Sequence, residues 1–352
     1  MNKQTVVKQS IGIDISKDSF EVCFKEQTQD GAVKIKGTSK FDNNQKGFEL
    51  LKAWSTKREK TKEVVYVMEA TGVYHEELVY FLHECGKKVY LELAQRIKHY
   101  VKSKGIKTKT DKVDSSMIAE YGIERNLSIW TPPSPLFRQL RDLSREHTSV
   151  THQKTISSNR LHACKHAHHK DENVIKRLEE QIEFFDCQLV EIENELNSKV
   201  KEDKIMSIKV ERISAIKGLG LLSIVKLIAE TGGFYLFKNI SQLVSYAGLD
   251  VVEDSSGKHV GKTRISKKGN LNLRKILYMP ALAAIRSNDK LKSFNDRIME
   301  SHQHKKQGIV AVMRKLLILT YTLWKKNQEY DPNYNWQSIN KVEIKKAERA
   351  SA

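Results

Sequence analysis

An α/β domain followed by a helical, strongly basic half is the fold class this sequence predicts. Three observations predict it. Short apolar or alternating runs, separated by helical spacings, fill the chain up to residue 131. Three of the five prolines, Pro132, Pro133 and Pro135, then fall together in WTPPSP, a breaker that neither helix nor strand runs through. Beyond them roughly 100 residues carry helical periodicity and no strand pattern.

Taken in order, IGIDIS (11–16) is a short apolar run and reads as a buried strand, and FEVCF (20–24) alternates as the next strand. Residues 44–56 have helical spacing. VVYVM (64–68) reads as another buried strand, 73–86 as an amphipathic helix closed by Gly86, and KVYLEL (88–93) as a further strand. Residues 110–124 read as a helix capped by Thr110 or Asp111. Residues 136–205 are polar and helical. Within them Val174, Leu178, Ile182, Phe185, Leu189, Ile192 and Leu196 recur at steps of four and three, a heptad seam that suits an internal hairpin or a dimer contact equally. The expected division is a domain over 1–131, a helical or coiled-coil linker over 132–206, a helical domain over 207–332 and a polar tail over 333–352.

Composition narrows the function. Across 352 residues, 61 Lys or Arg against 43 Asp or Glu give a formal charge of +18. On a folded chain such an excess points to nucleic acid, because phosphate contacts release counterions; plain solubility is the bland alternative. No apolar run reaches the roughly 18 residues a membrane span needs. MNKQTVVKQS lacks the apolar core of a signal peptide, so a cytoplasmic location is expected. The four cysteines (Cys23, Cys85, Cys164, Cys187) form no CxxC pair, which argues against a zinc ribbon or a disulfide framework.

Four carboxylates stand out in the first domain. Asp14 lies inside a strand between isoleucines, where a charge costs free energy unless something binds it. Glu69 ends the strand VVYVME. Asp111 and Asp114, three apart, share one helix face. Singly, each acid suits a turn or a cap. Together, in this order, they match a ribonuclease-H-like arrangement, in which converging carboxylates hold two Mg²⁺ ions at a phosphodiester.

The most distinctive stretch lies in the second half, at 247–281. Between Lys258 and Lys275 it holds seven basic residues (Lys258, Lys262, Arg264, Lys267, Lys268, Arg274 and Lys275) and no acid, with glycines that let backbone amides approach phosphates. Ser255 and Ser256 precede Gly257. A serine beside glycine in a basic loop can attack a phosphodiester and conserve the bond energy as a phosphoserine; a solvated serine-rich loop is the plain alternative. Upstream, Gly218-Leu219-Gly220 opens a helix in a helix-hairpin-helix-like pattern, whose N-terminal amides favour a phosphate. His162, His166 and His169 would share a helix face with metal-ligand spacing, but no second half-site accompanies them, so a helix face against nucleic acid is the better reading.

These motifs, in this order over about residues 9–332, resemble one family: the insertion-sequence-110-type transposases, or RNA-guided recombinases. IGIDISKDSFEV, VMEATGVYHEEL and KTKTDKVDSSMIAEY resemble its acidic motifs. AIKGLGLLSIVKLIAETG, FKNISQLVSYAGL and SSGKHVGKTRISKKGNLNLRKILYMPA resemble its C-terminal transposase domain. One departure is Lys217-Gly218-Leu219-Gly220, where the family's turn often reads PGIG.

The resemblance implies a RuvC-like domain whose Asp14, Glu69, Asp111 and Asp114 bind Mg²⁺, a connecting coiled coil, and a transposase domain with Ser256 as nucleophile. It further implies donor and target DNA, a structured noncoding guide RNA that pairs with both, and a dimer or tetramer in which the metal domain of one protomer meets the serine of another. A RuvC-like metal-dependent nuclease or junction resolvase, with no covalent intermediate, is the alternative; covalent attachment of DNA to protein separates the two. All four acids being present argues against a non-catalytic binding protein.

Overall fold

Strand β1 (Val6–Ile15) sends Ile11, Ile13 and Ile15 into a core on one side of the sheet, so Ser10, Gly12 and Asp14 point to the other. β2 (Ser19–Thr28) and β3 (Val33–Asp42) continue from it as antiparallel neighbours. β4 (Val64–Glu69) and β5 (Lys88–Glu92) add parallel strands on its other edge. The result is a mixed five-stranded sheet of order β3-β2-β1-β4-β5, consistent with the ribonuclease-H-like arrangement expected from the acids.

Helices α1 (Gln45–Thr56) and α2 (Glu76–Glu84) cover the isoleucine side, with Phe48, Leu51, Leu78 and Leu82 buried there. α3 (Ala94–Ser103) and α4 (Asp111–Glu124) cover the opposite side, where Val67, Ile97, Tyr100, Ile118 and Tyr121 pack. Lys25 on β2 is nearly buried and pairs with Glu120 on α4 at 2.6 Å, while Lys104 bridges Glu120 (2.9 Å) and Glu124 (2.6 Å). These pairs tie α4 to β2 and to the end of α3.

This computed structural model describes residues 5–332 apart from 62, 71, 236, 254, 257–258, 262–263 and 301–303. The polar tail over 333–352 therefore lies outside the described residues. The chain divides into two units, 1–132 and 133–352. Two elements of the first unit were not expected from sequence. β3 is an edge strand whose Lys34, Ile35, Lys36 and Lys40 are exposed; lysine-rich edges resist pairing with other chains, and their polarity hides them from a search for buried runs. α3 lies in the polar stretch after KVYLEL, to which the sequence pattern assigns no element.

The second unit opens with a long helical hairpin, α5 (Pro135–His166) and α6 (Glu172–Glu202). Leu178, Phe185, Ile192 and Leu196 of the heptad seam are buried, and α6 packs along α5 within the chain. Then come α7 (Lys204–Ser214), α8 (Leu221–Glu230), α9 (Ile240–Ala247), α10 (Leu271–Ser287), α11 (Asp289–Glu300) and α12 (Lys305–Lys326). Leu140 and Val150 of α5 share one core with Ile224, Leu243, Leu277, Leu316 and Trp324, so the hairpin and the later helices are joined by common packing. α5 ends at His166, which leaves His169 beyond the helix and off the face of His162 and His166. Among the described residues no helix is long and apolar enough to cross a membrane.

Candidate active site

Asp14 and Glu69 stand at the same end of two adjacent parallel strands. Ile13 pairs with Met68, which puts the two acids next to each other. Glu69 has the strand parity of Val67, so like Asp14 it faces the side covered by α4. Two glycines let α4 lie directly on these strands. A Cβ at Gly12 would fall on the backbone of Ser115 and Ala119, well inside van der Waals contact, and one at Gly122 would strike Ser10 and, at 2.6 Å, Val67. With that close approach the first turn of α4 reaches the end of β1. Thr110 caps the turn, its Oγ1 accepting from the Val113 amide at 3.3 Å, and Asp111 and Asp114 lie within it.

The electrostatics agree with this convergence. Burial first, then the charges of Asp114, Asp111 and Glu69, push the Asp14 carboxyl up to about 6, with Lys109 pulling it down. Asp114 is also raised, by burial and by Asp111 and Glu69 against Lys109. Lys109 was absent from the sequence-derived site. Its signal was position alone, two residues before Asp111. Asn43, likewise missed, donates from Nδ2 to the carbonyls of Ser16 (3.0 Å), Lys17 (3.3 Å) and Tyr74 (3.0 Å), tying together the turns that follow β1 and β4.

Charges of neighbouring acids that raise Asp14 and Asp114 make a site that a cation would relieve, and all-oxygen donors suit a hard divalent ion. Coordination is a stricter condition than mutual repulsion. Among the described residues no three His, Cys, Asp or Glu side chains come close enough to hold an ion. The acids share an electrostatic field but have not closed into a coordination shell.

The serine stretch is a β-hairpin ladder, not an open loop. β6 (Val251–Val252) pairs with β9 (Arg264–Ile265), and β7 (Ser255–Ser256) pairs with β8 (His259–Val260). Ser256 is exposed and lies in register with His259 near the tip. Lys258 and Lys262 lie outside the described residues. Arg264, Lys267, Lys268 and Lys275 are exposed, whereas Arg274 is half-buried and donates from Nη1 to the Ala247 carbonyl at 2.8 Å, so part of its guanidinium is committed to the fold.

The base of this ladder is clamped. α9 ends at Gly248 (φ 64°), where a Cβ would meet the Arg274 guanidinium and the Lys267 backbone. The amides of Lys267 and Asn270 donate to the carbonyls of Gly248 (3.1 Å) and Tyr246 (2.7 Å). Below the clamp sits Glu230, a buried carboxylate at the end of α8. It accepts from Arg145 Nε (2.8 Å) and Nη2 (3.2 Å), Asn270 Nδ2 (2.9 Å) and Asn272 Nδ2 (3.3 Å). Burial alone would raise its pKa; these hydrogen bonds outweigh that and hold it below the ordinary range. The clamp's members come from α5, α8 and the start of α10, a juxtaposition no local motif announces. Gly220 is the N-cap of α8, and Gly218 (φ 93°) packs directly on the backbone of Ala284. A side chain is thus barred from Gly218 twice over, by the left-handed backbone and by lack of space.

Comparison with known proteins agrees with the motif order. A DEDD transposase model of the IS110 type matches residues 11–166, and the model of the transposase IS116/IS110/IS902 family matches residues 210–296. The first match suggests use of a divalent metal. The pilin gene-inverting protein of Moraxella bovis is 31% identical over 336 residues, spanning 92% of this chain and 98% of that protein. Its namesake in Moraxella lacunata is 31% identical with the same coverage. An uncharacterized 42 kDa protein of insertion element IS900 from Mycobacterium paratuberculosis is 22% identical over 160 residues, 45% of this chain and 39% of that one. With both family models matched in order and a relative aligned over 92% of this chain, the chain belongs to the IS110/IS116/IS902 transposase family and is a DNA recombinase or transposase.

Proposed function

We propose that the chain cuts and rejoins donor and target DNA by attack of the Ser256 hydroxyl, with Asp14, Glu69, Asp111 and Asp114 holding Mg²⁺. The observation that carries the reading is Ser256 itself: exposed, near the tip of a basic hairpin whose base is fixed by the Glu230 and Gly248 contacts. In the reaction the Ser256 Oγ–phosphorus bond forms as the phosphodiester bond to the leaving deoxyribose oxygen breaks. The hydroxyl proton passes to a base. Since one ester replaces another, a deoxyribose oxygen can later displace Ser256 and reseal the strand without net hydrolysis. Bound Mg²⁺ would supply positive charge against the phosphate oxygens. Arg264, Lys267, Lys268 and Lys275 grip the backbone, together with Lys258, Lys262 and Arg274, and the amides after Gly218 and Gly220 add a helix N-terminus to the same task.

The Moraxella relatives are named for inverting a pilin gene; the same cut-and-rejoin chemistry is assigned to this chain. A structured noncoding RNA supplies sequence choice by base pairing. The RuvC-like domain over 1–131, the coiled coil over 132–206 and the transposase domain over 207–332 work in a dimer or tetramer, in the cytoplasm and on the nucleoid. The helix-hairpin-helix-like element corresponds to α7, its turn and α8.

Two expected results follow. Ser256→Ala abolishes recombination of a reporter plasmid while nucleic-acid binding persists, and Ser255→Ala keeps substantial activity. Equal loss in both variants would remove Ser256 from its assigned role. Replacing Arg264, Lys267 and Lys268 by Gln weakens binding across sequences and flattens the salt dependence by about one slope unit per lost contact. An unchanged slope in a salt titration would contradict the phosphate assignment.

A further inference from the structure

A cavity of about 480 Å³ lies within the second unit, among α5, α8 and α10. Lys226 opens into it from α8 and is only 9% exposed. A buried ammonium ordinarily has a carboxylate partner. Lys226 has none at ion-pair distance among the described residues. Its hydrogen bond runs instead to an imidazole nitrogen, His147 Nδ1, at 2.7 Å. The other ring nitrogen of His147, Nε2, lies 2.9 Å from Glu193 Oε1, so the imidazole stands between the lysine and that carboxylate. Burial pushes the Lys226 pKa down to about 8, with Glu193 pulling it back up. The other nearby acid, Glu230, is saturated by Arg145, Asn270 and Asn272.

The rest of the wall is mixed, with Glu230 and its partner Arg145 also among the lining residues. Lys275 and His152 also line it, as do Thr148 and Thr151, whose hydroxyls donate to the Ser144 and His147 carbonyls, and the apolar Ile276 and Met279. Met279 is 67% exposed. Cations facing an apolar strip suit a phosphate with a flat apolar group attached.

We infer that this cavity seats one nucleotide of a bound single strand, its phosphodiester on Lys226 and Lys275 and its base on Ile276 and Met279. The inference rests on the nucleic-acid reading above but concerns a second contact, beyond the Ser256 hairpin, that shares only Lys275 with the basic stretch. It accounts for a buried lysine that opens into a cavity with no carboxylate at ion-pair distance among the described residues, Glu193 acting on it only across His147.

The test is binding of fluorescein-labelled 12-nucleotide single strands, one DNA and one RNA, to the full chain at several salt concentrations. Lys226→Met keeps the volume and removes the buried charge, so the fold should melt at the same temperature or higher. Affinity for at least one strand should fall about tenfold, with the salt slope smaller by about one unit. The strand that responds identifies DNA or RNA as occupant. A second measurement needs no variant. Pyridoxal 5′-phosphate followed by borohydride should label Lys226, and the responding oligonucleotide should displace that label. Unchanged affinity and slope in Lys226→Met, absence of label at Lys226, or label that the oligonucleotide leaves in place would overturn the inference. If the wild-type chain bound neither strand, the nucleic-acid reading itself would fall, which is a separate outcome.

Discussion

Asp14→Asn should abolish recombination and at the same time stabilise the metal-free protein. The two effects have one cause. In the folded chain Asp14 is partly buried beside three other carboxylates, and its pKa rises to about 6, against about 3.9 for an ordinary aspartate. Between those values the native state binds more protons than the unfolded chain. Stability therefore falls as pH rises through that window and stays at its lower level above it. The full difference corresponds to about 3 kcal/mol, but Asp14 is only partly shielded from water, so about 1–2 kcal/mol is the realistic gain on removing the charge. Thermal melting without metal should place Asp14→Asn a few degrees above the wild type at pH 7, with the two converging toward pH 4. Adding Mg²⁺ should raise the wild-type melting temperature and leave the variant nearly unmoved, because binding to the native state alone is stabilising. A variant that melts lower than the wild type at pH 7, or that still recombines DNA, would break the link between the acidic cluster and the reaction.

The second large effect is structural. Gly12→Ala adds one methyl group, but that group points at the backbone of α4, at Ser115 and Ala119. A flexible side chain could swing aside; a helix backbone cannot. The cost should sit at the upper end for overpacking, about 3 kcal/mol. Because α4 carries Asp111 and Asp114, its displacement also opens the acidic cluster. Melting should therefore drop well below the wild type, recombination should be lost, and the stability gain from Asp14→Asn should shrink in the Gly12→Ala background. Wild-type melting and activity in Gly12→Ala would show that α4 does not rest on β1 as described.

These two residues show what was legible in the sequence. Asp14, Glu69, Asp111 and Asp114 could be read because a charge inside an apolar strand, an acid at a strand end and an i, i+3 pair each leave a local pattern. Gly12 sits in the same IGIDIS run, yet nothing local says that a helix over 100 residues later must touch it. Lys109 and Asn43 were missed for the same reason, since their contacts are made by topology. The helices of the second half followed from their periodicity. The paired strands β6 to β9 did not, because two-residue strands leave too short an alternation to recognise. Lys226 was invisible within an otherwise apolar helix; its partner His147 lies 79 residues away.

The central claim is that DNA is joined through Ser256, and the most direct measurement is the chemical identity of a trapped intermediate. A suicide DNA substrate, whose cut end diffuses away, should leave the strand covalently attached to the full chain. Digestion and mass spectrometry should then place a phosphoserine linkage on the peptide containing Ser256, with no adduct in Ser256→Ala. An adduct on another residue, or cutting by water that survives Ser256→Ala, would contradict the account and assign the chemistry to a metal-dependent nuclease.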